Sequence, residues 1–341
     1  MASKLGVAVV GLDHWYTAFP TAEAATTMKN TRLVVIADRS RSRAEEVAAR
    51  HKPEYVTSNL HRAIEDPKVD LVCSLINTRD NVRVAKAALE AGKHVVCVKP
   101  MAMNLRQLDA LIALAEKKRK VLWCFDQLGR LGVDPQVKAA LDKKMIGKPL
   151  SFHHLAWAGL PKPWRDSVGP SWWTNGRLVP WGAWADHAIY TVDMLRALLK
   201  SEVVEVHGEI ANRVYQDLNV EDWGVGTLRF ANGMVAVLED AWTADGYWPQ
   251  WTKIVGTRGV IHIERAAHGE GAMVATAKGV SPAPEAKAAK RGSFLDVPVK
   301  LILAGKSLPS PARDSRVNHA ICLGVYKAAK TGRYVKPGEM K

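Results

Sequence analysis

A lysine followed by proline at the end of an apolar run can do chemistry. Lys99 closes the run HVVCVK at 94–99, and Pro100 disfavours helical backbone at the residue before it. Ligands of open parallel sheets bind at the carboxyl ends of the strands, so an ammonium there can polarise a substrate hydroxyl or share its proton. A second group lies on one predicted helix, about 183–199. Asp186, Tyr190 and Asp193 fall at i, i+4 and i+7, and His187 and Tyr190 at i and i+3, so they share a face. Tyr190 can accept a proton beside a lysine cation, and His187 can serve as base from the neighbouring position. Asp193 reads as a salt-bridging or capping residue.

A third constellation is Asp13-His14-Trp15-Tyr16, directly after the first apolar run. His14 titrates near neutrality and is a further acid/base candidate, and His14 and Tyr16 can touch substrate or cofactor. Ten of the twelve tryptophans lie between 157 and 251, several in the Gly/Pro-rich stretch 159–184. Trp164 and Trp173 there can stack on a sugar or aryl ring, or anchor a core or an interface. Lys162, Arg165 and Arg177 can pair with an acidic substrate. Adjacent strand residues face opposite ways, so His153 and His154 cannot easily share a metal, and none is expected.

The elements that position these residues follow from periodicity. Five apolar runs (5–12, 32–38, 69–76, 94–99 and 120–125) alternate with helical segments of about 12 residues. Strands apolar throughout, joined by helices, imply a parallel sheet covered on both faces. After residue 126 the segments alternate apolar and polar residues, with turn signals at Ala231-Asn232-Gly233 and Thr257-Arg258-Gly259, the pattern of antiparallel hairpins. The expected fold is α/β. An N-terminal Rossmann-like doubly wound parallel sheet spans 1–125, and a C-terminal α+β domain on an open, mostly antiparallel sheet spans 126–341. A last helix, about 311–330, is able to pack back on the first domain. Residues 276–292, rich in Ala, Lys and Pro, are the expected mobile loop.

Composition narrows the partners. The net charge of +14 favours anionic partners. The cations are scattered, however, and the densest run, Lys117-Lys118-Arg119-Lys120, ends a predicted helix where they complement its dipole. Nucleic acid is therefore not expected, and no apolar stretch reaches the length of a membrane span. The four cysteines form no C-x-x-C pair, which fits reduced thiols and a cytoplasmic location.

Gly11 ends the first strand where a dinucleotide pyrophosphate would sit over a helix N-terminus, with Leu12, Asp13, His14 and Trp15 around it. Asp13 and Tyr16 stand where the second and third glycines of G-x-G-x-x-G would be, so the motif alone is weak. Asp38 ends the second strand, where a carboxylate accepts from an adenosine ribose, and favours NAD. Arg39, Ser40, Arg41 and Arg43 can instead hold a 2′-phosphate and favour NADP. NAD is the expected cofactor, with NADP open.

The stretch VDLVCSLINTRDNVRVAKAALEAGKHVVCVKPMAMNLRQLDAL resembles the fourth-strand region of the Gfo/Idh/MocA oxidoreductases. There A-L-E-A-G-K-H-V leads to a strand ending Glu-Lys-Pro, matched here by Lys99-Pro100. Residues 134–149 resemble the following helix and G-x-P turn, Asp186–Asp193 the D-x-G-x-H-x-x-D helix, and Thr331–Val335 the usual ending. The resemblance implies that Lys99 is the catalytic lysine and that Asp186 contacts substrate and lysine. It also places Asn77 and Asn81, with Lys99 and Pro100, near the cofactor. The chain departs from the pattern at Val98 for Glu, Asn77 and Asn81 for Pro and His, Ala188 for Gly, and Tyr190 for the catalytic His.

The expected activity is hydride transfer between NAD(P) and a secondary hydroxyl or ketone of a sugar, cyclitol or glycoside, neutral or acidic, and the expected assembly is a homodimer or homotetramer. Lys99, with Tyr190 or His187, handles the proton. Two alternatives stand. One is a self-recycling glycoside lyase or hydrolase that oxidises C3 transiently. The other is a non-catalytic cofactor-sensing protein.

Overall fold

The computed structural model describes residues 4–165, 167–244, 249–265, 271–285 and 292–340. The chain divides into two compact units. The first collects Met1–Asp126, Lys162–Pro180 and Arg291–Arg316, and the second Gln127–Pro161, Trp181–Lys290 and Val317–Lys341.

The first unit alternates strand and helix: β1 (Leu5–Val10), α1 (Trp15–Thr27), β2 (Thr31–Ala37), α2 (Arg41–His51), β3 (Tyr55–Thr57), α3 (Leu60–Glu65), β4 (Leu71–Ser74), α4 (Thr78–Glu90), β5 (His94–Cys97), α5 (Leu105–Lys118) and β6 (Leu122–Cys124). The sheet order is β3-β2-β1-β4-β5-β6, and every neighbouring pair is parallel. This is the Rossmann order, with its switch point between β1 and β4. The periodicity missed β3, an edge strand of three residues, and the short α3 beside it. Val7–Val10 of β1 and Val95–Cys97 of β5 are inaccessible to solvent, as strands covered on both faces must be.

The second unit contains α6 (Pro135–Asp142), β7 (Pro149–Trp157), α7 (Ala183–Leu199), β8 (Val203–Ala211), β9 (Trp223–Phe230), β10 (Val235–Ala241), β11 (Gln250–Gly256), β12 (Gly259–Arg265), β13 (Met273–Thr276) and β14 (Gly279–Pro282). A short helix, α8 (Asp296–Leu303), and the last helix, α9 (Ala312–Thr331), follow. The sheet runs β14-β13-β12-β11-β7-β10-β9-β8. All neighbours are antiparallel except β7 and β10, which are parallel. The sheet is thus mixed. Hairpin signals identify consecutive partners, and β7 has none. Within the expected mobile loop, Gly279–Pro282 forms β14, while 286–291 lie outside the described residues.

Burial alternates along β9 and β10, so one face packs and the other stays partly open. α7 lies on the packed face. The Trp184 indole fits over two glycines of β9: a Cβ on Gly224 or Gly226 would come within 3.0 or 2.3 Å of it. Its Nε1 donates to the Leu238 carbonyl at 3.0 Å, so the buried indole polar group is satisfied. Among the described residues no helix is long and apolar enough to cross a membrane.

Candidate active site

Gly11 turns the chain out of β1 with φ +78°, and a Cβ there would stand 2.6 Å from Ile76 Cβ. Only glycine fits on both counts. α2, α4 and α5 carry side-chain caps from Ser40, Asn77 and Asn104, whereas α1 has none. Its first turn therefore presents backbone N–H groups to an anion.

Asp38 is 5% exposed at the end of β2. Its Oδ2 accepts from Leu12 N at 2.7 Å and its Oδ1 from Ser40 N at 2.8 Å. Burial raises its carboxyl above the ordinary value, against those two donors. Asp13 is tied to the start of α4. Its Oδ2 accepts from Asn77 N at 3.0 Å and Asn77 Nδ2 at 2.9 Å, and Arg43 stands 3.6 Å from its Oδ1. That disposition offsets the repulsion a carboxylate would exert on a pyrophosphate. Each nearby arginine has a carboxylate partner: Arg39 with Asp80, Arg41 with Glu45 and Arg43 with Asp13. Asn77 caps α4 through its Oδ1, and Asn81 Nδ2 donates to the Met101 carbonyl at 2.7 Å. These features fit a dinucleotide: a glycine-only turn, an uncapped helix start and a buried carboxylate at the end of β2.

Lys99 is 3% exposed, and its Nζ lies 4.4 Å from the centre of the Trp173 ring. Trp173 stacks on Trp172 at 4.3 Å, and Trp172 Nε1 donates to the Asp13 carbonyl at 2.9 Å. His14 completes the wall, with ring centres 5.8 Å from Trp173 and 4.2 Å from Tyr16, and its Nδ1 is hydrogen-bonded to Thr17 Oγ1. The structure thus brings together Lys99, His14, Tyr16 and Trp173, all within the first unit. Trp164 and Arg165 are held differently. Both donate to Glu46, and the Arg165 hydrogen bond keeps the Glu46 carboxyl below its usual range. Trp15 Nε1 donates to the Lys162 carbonyl.

In the second unit, α7 presents Asp186 and His187, with His187 Nε2 3.6 Å from Asp186 Oδ2. Trp242 Nε1 donates to the same oxygen at 3.1 Å. Asp193 is fully buried. Its oxygens accept from Arg130 N, Nε and Nη2 and from Asn318 Nδ2 at 2.6–3.1 Å, a bracing role. His154 and His153 point to opposite sides of β7, paired with Thr252 and Ser151 respectively.

Sequence reasoning missed two carboxyls. Asp240 is wholly buried, and neither oxygen has a hydrogen-bond partner among the described residues. Burial, with the charges of Asp186 and Glu239 adding to it, holds it well above the carboxylate range. Burial thus disfavours its charged form. Glu221 caps α7 from a distance, accepting from Gly182 N, Trp184 N and the Tyr326 hydroxyl. Its partners lie 39 and 105 residues away, so no local signal marks it.

Burial pushes Glu221 from the ordinary 4.5 to about 7. Between those values the folded chain holds a proton that the unfolded chain has released. Stability from this group is therefore full below 4.5 and is lost as pH rises towards about 7. Glu221→Gln should flatten the decline in Tm between pH 5 and 8. An unchanged decline in thermal melts of the variant would refute this.

The glycine turn, the buried carboxylate at the end of β2 and the strand-end lysine on a Rossmann sheet are consistent with the family that the chain matches. Residues 5–125 match the oxidoreductase family with NAD-binding Rossmann fold, and residues 135–262 match the GFO/IDH/MocA C-terminal domain. The chain belongs to the Gfo/Idh/MocA family, and its first unit is an NAD-binding Rossmann domain. It is 29% identical over 235 residues to the uncharacterized oxidoreductase YrbE of Bacillus subtilis, a match spanning 67% of this chain and 65% of that one. It is 28% identical over 265 residues to myo-inositol 2-dehydrogenase of Thermotoga maritima, covering 75% and 74%. A solved structure of levoglucosan dehydrogenase with NADH and L-sorbose superposes with TM-score 0.79 at 24% identity, covering 98% of each chain.

Proposed function

We propose that this protein is an NAD-dependent dehydrogenase of a secondary hydroxyl on a sugar, cyclitol or glycoside. The observation that carries the reading is Lys99: a nearly inaccessible ammonium at the end of β5, held over the Trp173 ring, in the unit that carries the nucleotide turn. The names of the relatives, an inositol and a levoglucosan dehydrogenase, support that substrate class.

Gly11 and the start of α1 hold the pyrophosphate, and Asp38 accepts from the adenosine ribose. Bound NAD supplies the acceptor for the hydride that leaves the substrate carbon. Lys99 donates to the substrate oxygen and stabilises negative charge as its proton departs. Tyr190 or His187 takes that proton, and Asp186 orients His187. The carboxylate pairing of Arg39, Arg41 and Arg43 favours NAD over NADP. The Arg165 pairing with Glu46 favours a neutral substrate. The half-open face of the eight-stranded sheet, including His153 and Leu155, is read as the surface that joins subunits in a homodimer or homotetramer.

NADH and NADPH titrations, followed by energy transfer from tryptophan, test the cofactor reading. NADH should bind more tightly. Asp38→Ala should weaken NADH binding by about tenfold or more, the worth of a charged hydrogen bond. Equal binding of both cofactors, unaffected by the substitution, would remove Asp38 from the ribose site. A panel of inositols and pyranosides, followed by nicotinamide absorbance, tests the substrate class. No turnover of any member by NAD-loaded protein would overturn it.

A further inference from the structure

Within the second unit, one side of α7 borders a cavity of about 290 Å³. Tyr190, Met194 and Leu198 form that wall, and Phe152, Ile254 and Ile263 of the sheet form the floor. Leu128 and Val137 complete the apolar lining. Protein interiors are packed to crystal density and hold few voids larger than a water molecule. A space of this size, lined mainly by apolar side chains, sits at the lower end of small-molecule sites.

The lining narrows the occupant. Its polar side chains are the hydrogen-bonded pair His154 and Thr252, 2.9 Å apart, with Gln250, Asp134, Thr191, Trp251 and the Tyr190 hydroxyl. Asp134 Oδ1 accepts from Gln136 N and Val137 N, so that carboxylate caps α6. No lysine or arginine lines the cavity among the described residues. An anionic group would find no counter-charge there, and a polyol would lose most of its hydrogen bonds to water. An uncharged ring or short alkyl chain meets neither cost. Tyr190 links the cavity to the chemistry, because it stands one turn beyond Asp186 and His187 on the same helix.

We propose that the cavity takes the apolar aglycone of an aryl or alkyl glycoside whose sugar hydroxyl is oxidised. This rests on the dehydrogenase reading above. Binding the ring there removes apolar surface from water and adds affinity only for substrates that carry it.

The test uses the full chain with NAD and compares phenyl and methyl β-glucopyranosides by kcat/KM. Calorimetric titration with 4-methylphenol reads the cavity alone. The phenyl glycoside should be preferred by roughly tenfold or more, as expected for burial of one ring. Met194→Trp and Val137→Phe fill the space from two different helices. Both should bring the preference close to one and weaken 4-methylphenol binding at least tenfold. NADH binding to each variant checks that the chain remains folded. A wild-type preference near one, or 4-methylphenol binding unchanged in both folded variants, overturns the proposal. If neither glycoside is oxidised, the dehydrogenase reading fails for these sugars, and the calorimetric arm alone decides whether the cavity holds an aryl group.

Discussion

Lys99→Ala should reduce turnover about 10³-fold, within the range for removal of a positioned proton-transfer or charge-stabilising group. Lys99 is 3% exposed and its ammonium lies over the Trp173 ring, so water cannot readily substitute for it. NADH affinity should stay within a few-fold, because Gly11 and Asp38 lie elsewhere on the sheet, at the ends of β1 and β2. The informative measurement is kcat at saturating substrate beside an NADH titration on the same preparation. A loss confined to KM would make Lys99 a binding residue only. Turnover within a few-fold of wild type would remove it from the chemistry.

Asp193→Ala should cost about 3 kcal/mol of stability, the lower end for breaking a buried ion pair. Asp193 is fully buried and gathers four donors, three from Arg130 and one from Asn318. Removing it leaves the guanidinium without its partner, but the Arg130 side chain is 32% exposed and water recovers part of the loss. Denaturant unfolding gives the number directly. Asp193→Asn should recover part of it by keeping acceptor capacity. A loss below about 0.5 kcal/mol, the scale of ordinary surface changes, would contradict the bracing role.

The Rossmann unit was legible because its strands are apolar throughout and its helices are regular. The 3.6-residue period also put Asp186, His187 and Tyr190 on one helix before any coordinates. What stayed hidden depends on long-range contacts. Residues 162–180 group with the nucleotide unit, where Trp172 donates to the Asp13 carbonyl 159 positions earlier. Spacing shows that Trp172 and Trp173 are large and flat, not that Trp173 underlies Lys99. Glu221 and Asp240 read as ordinary strand-flanking acids, and only burial raises their carboxyls above the ordinary range. The arginines after Asp38 read as a phosphate cradle because sequence does not reveal their carboxylate partners.

The place of β7 also bears on how the protein is made. Phe152 pairs with Ala236 on one side and Ile254 on the other, 84 and 102 residues further along. A ribosome adding 5–20 residues per second therefore leaves this apolar strand with both edges bare for roughly 4–20 s. Bare edges are templates for pairing with other chains. The nascent polypeptide, rather than the finished sheet, is the form most exposed to aggregation. Chaperone supply and translation speed through residues 158–256 should therefore govern yield more than the strength of the final fold.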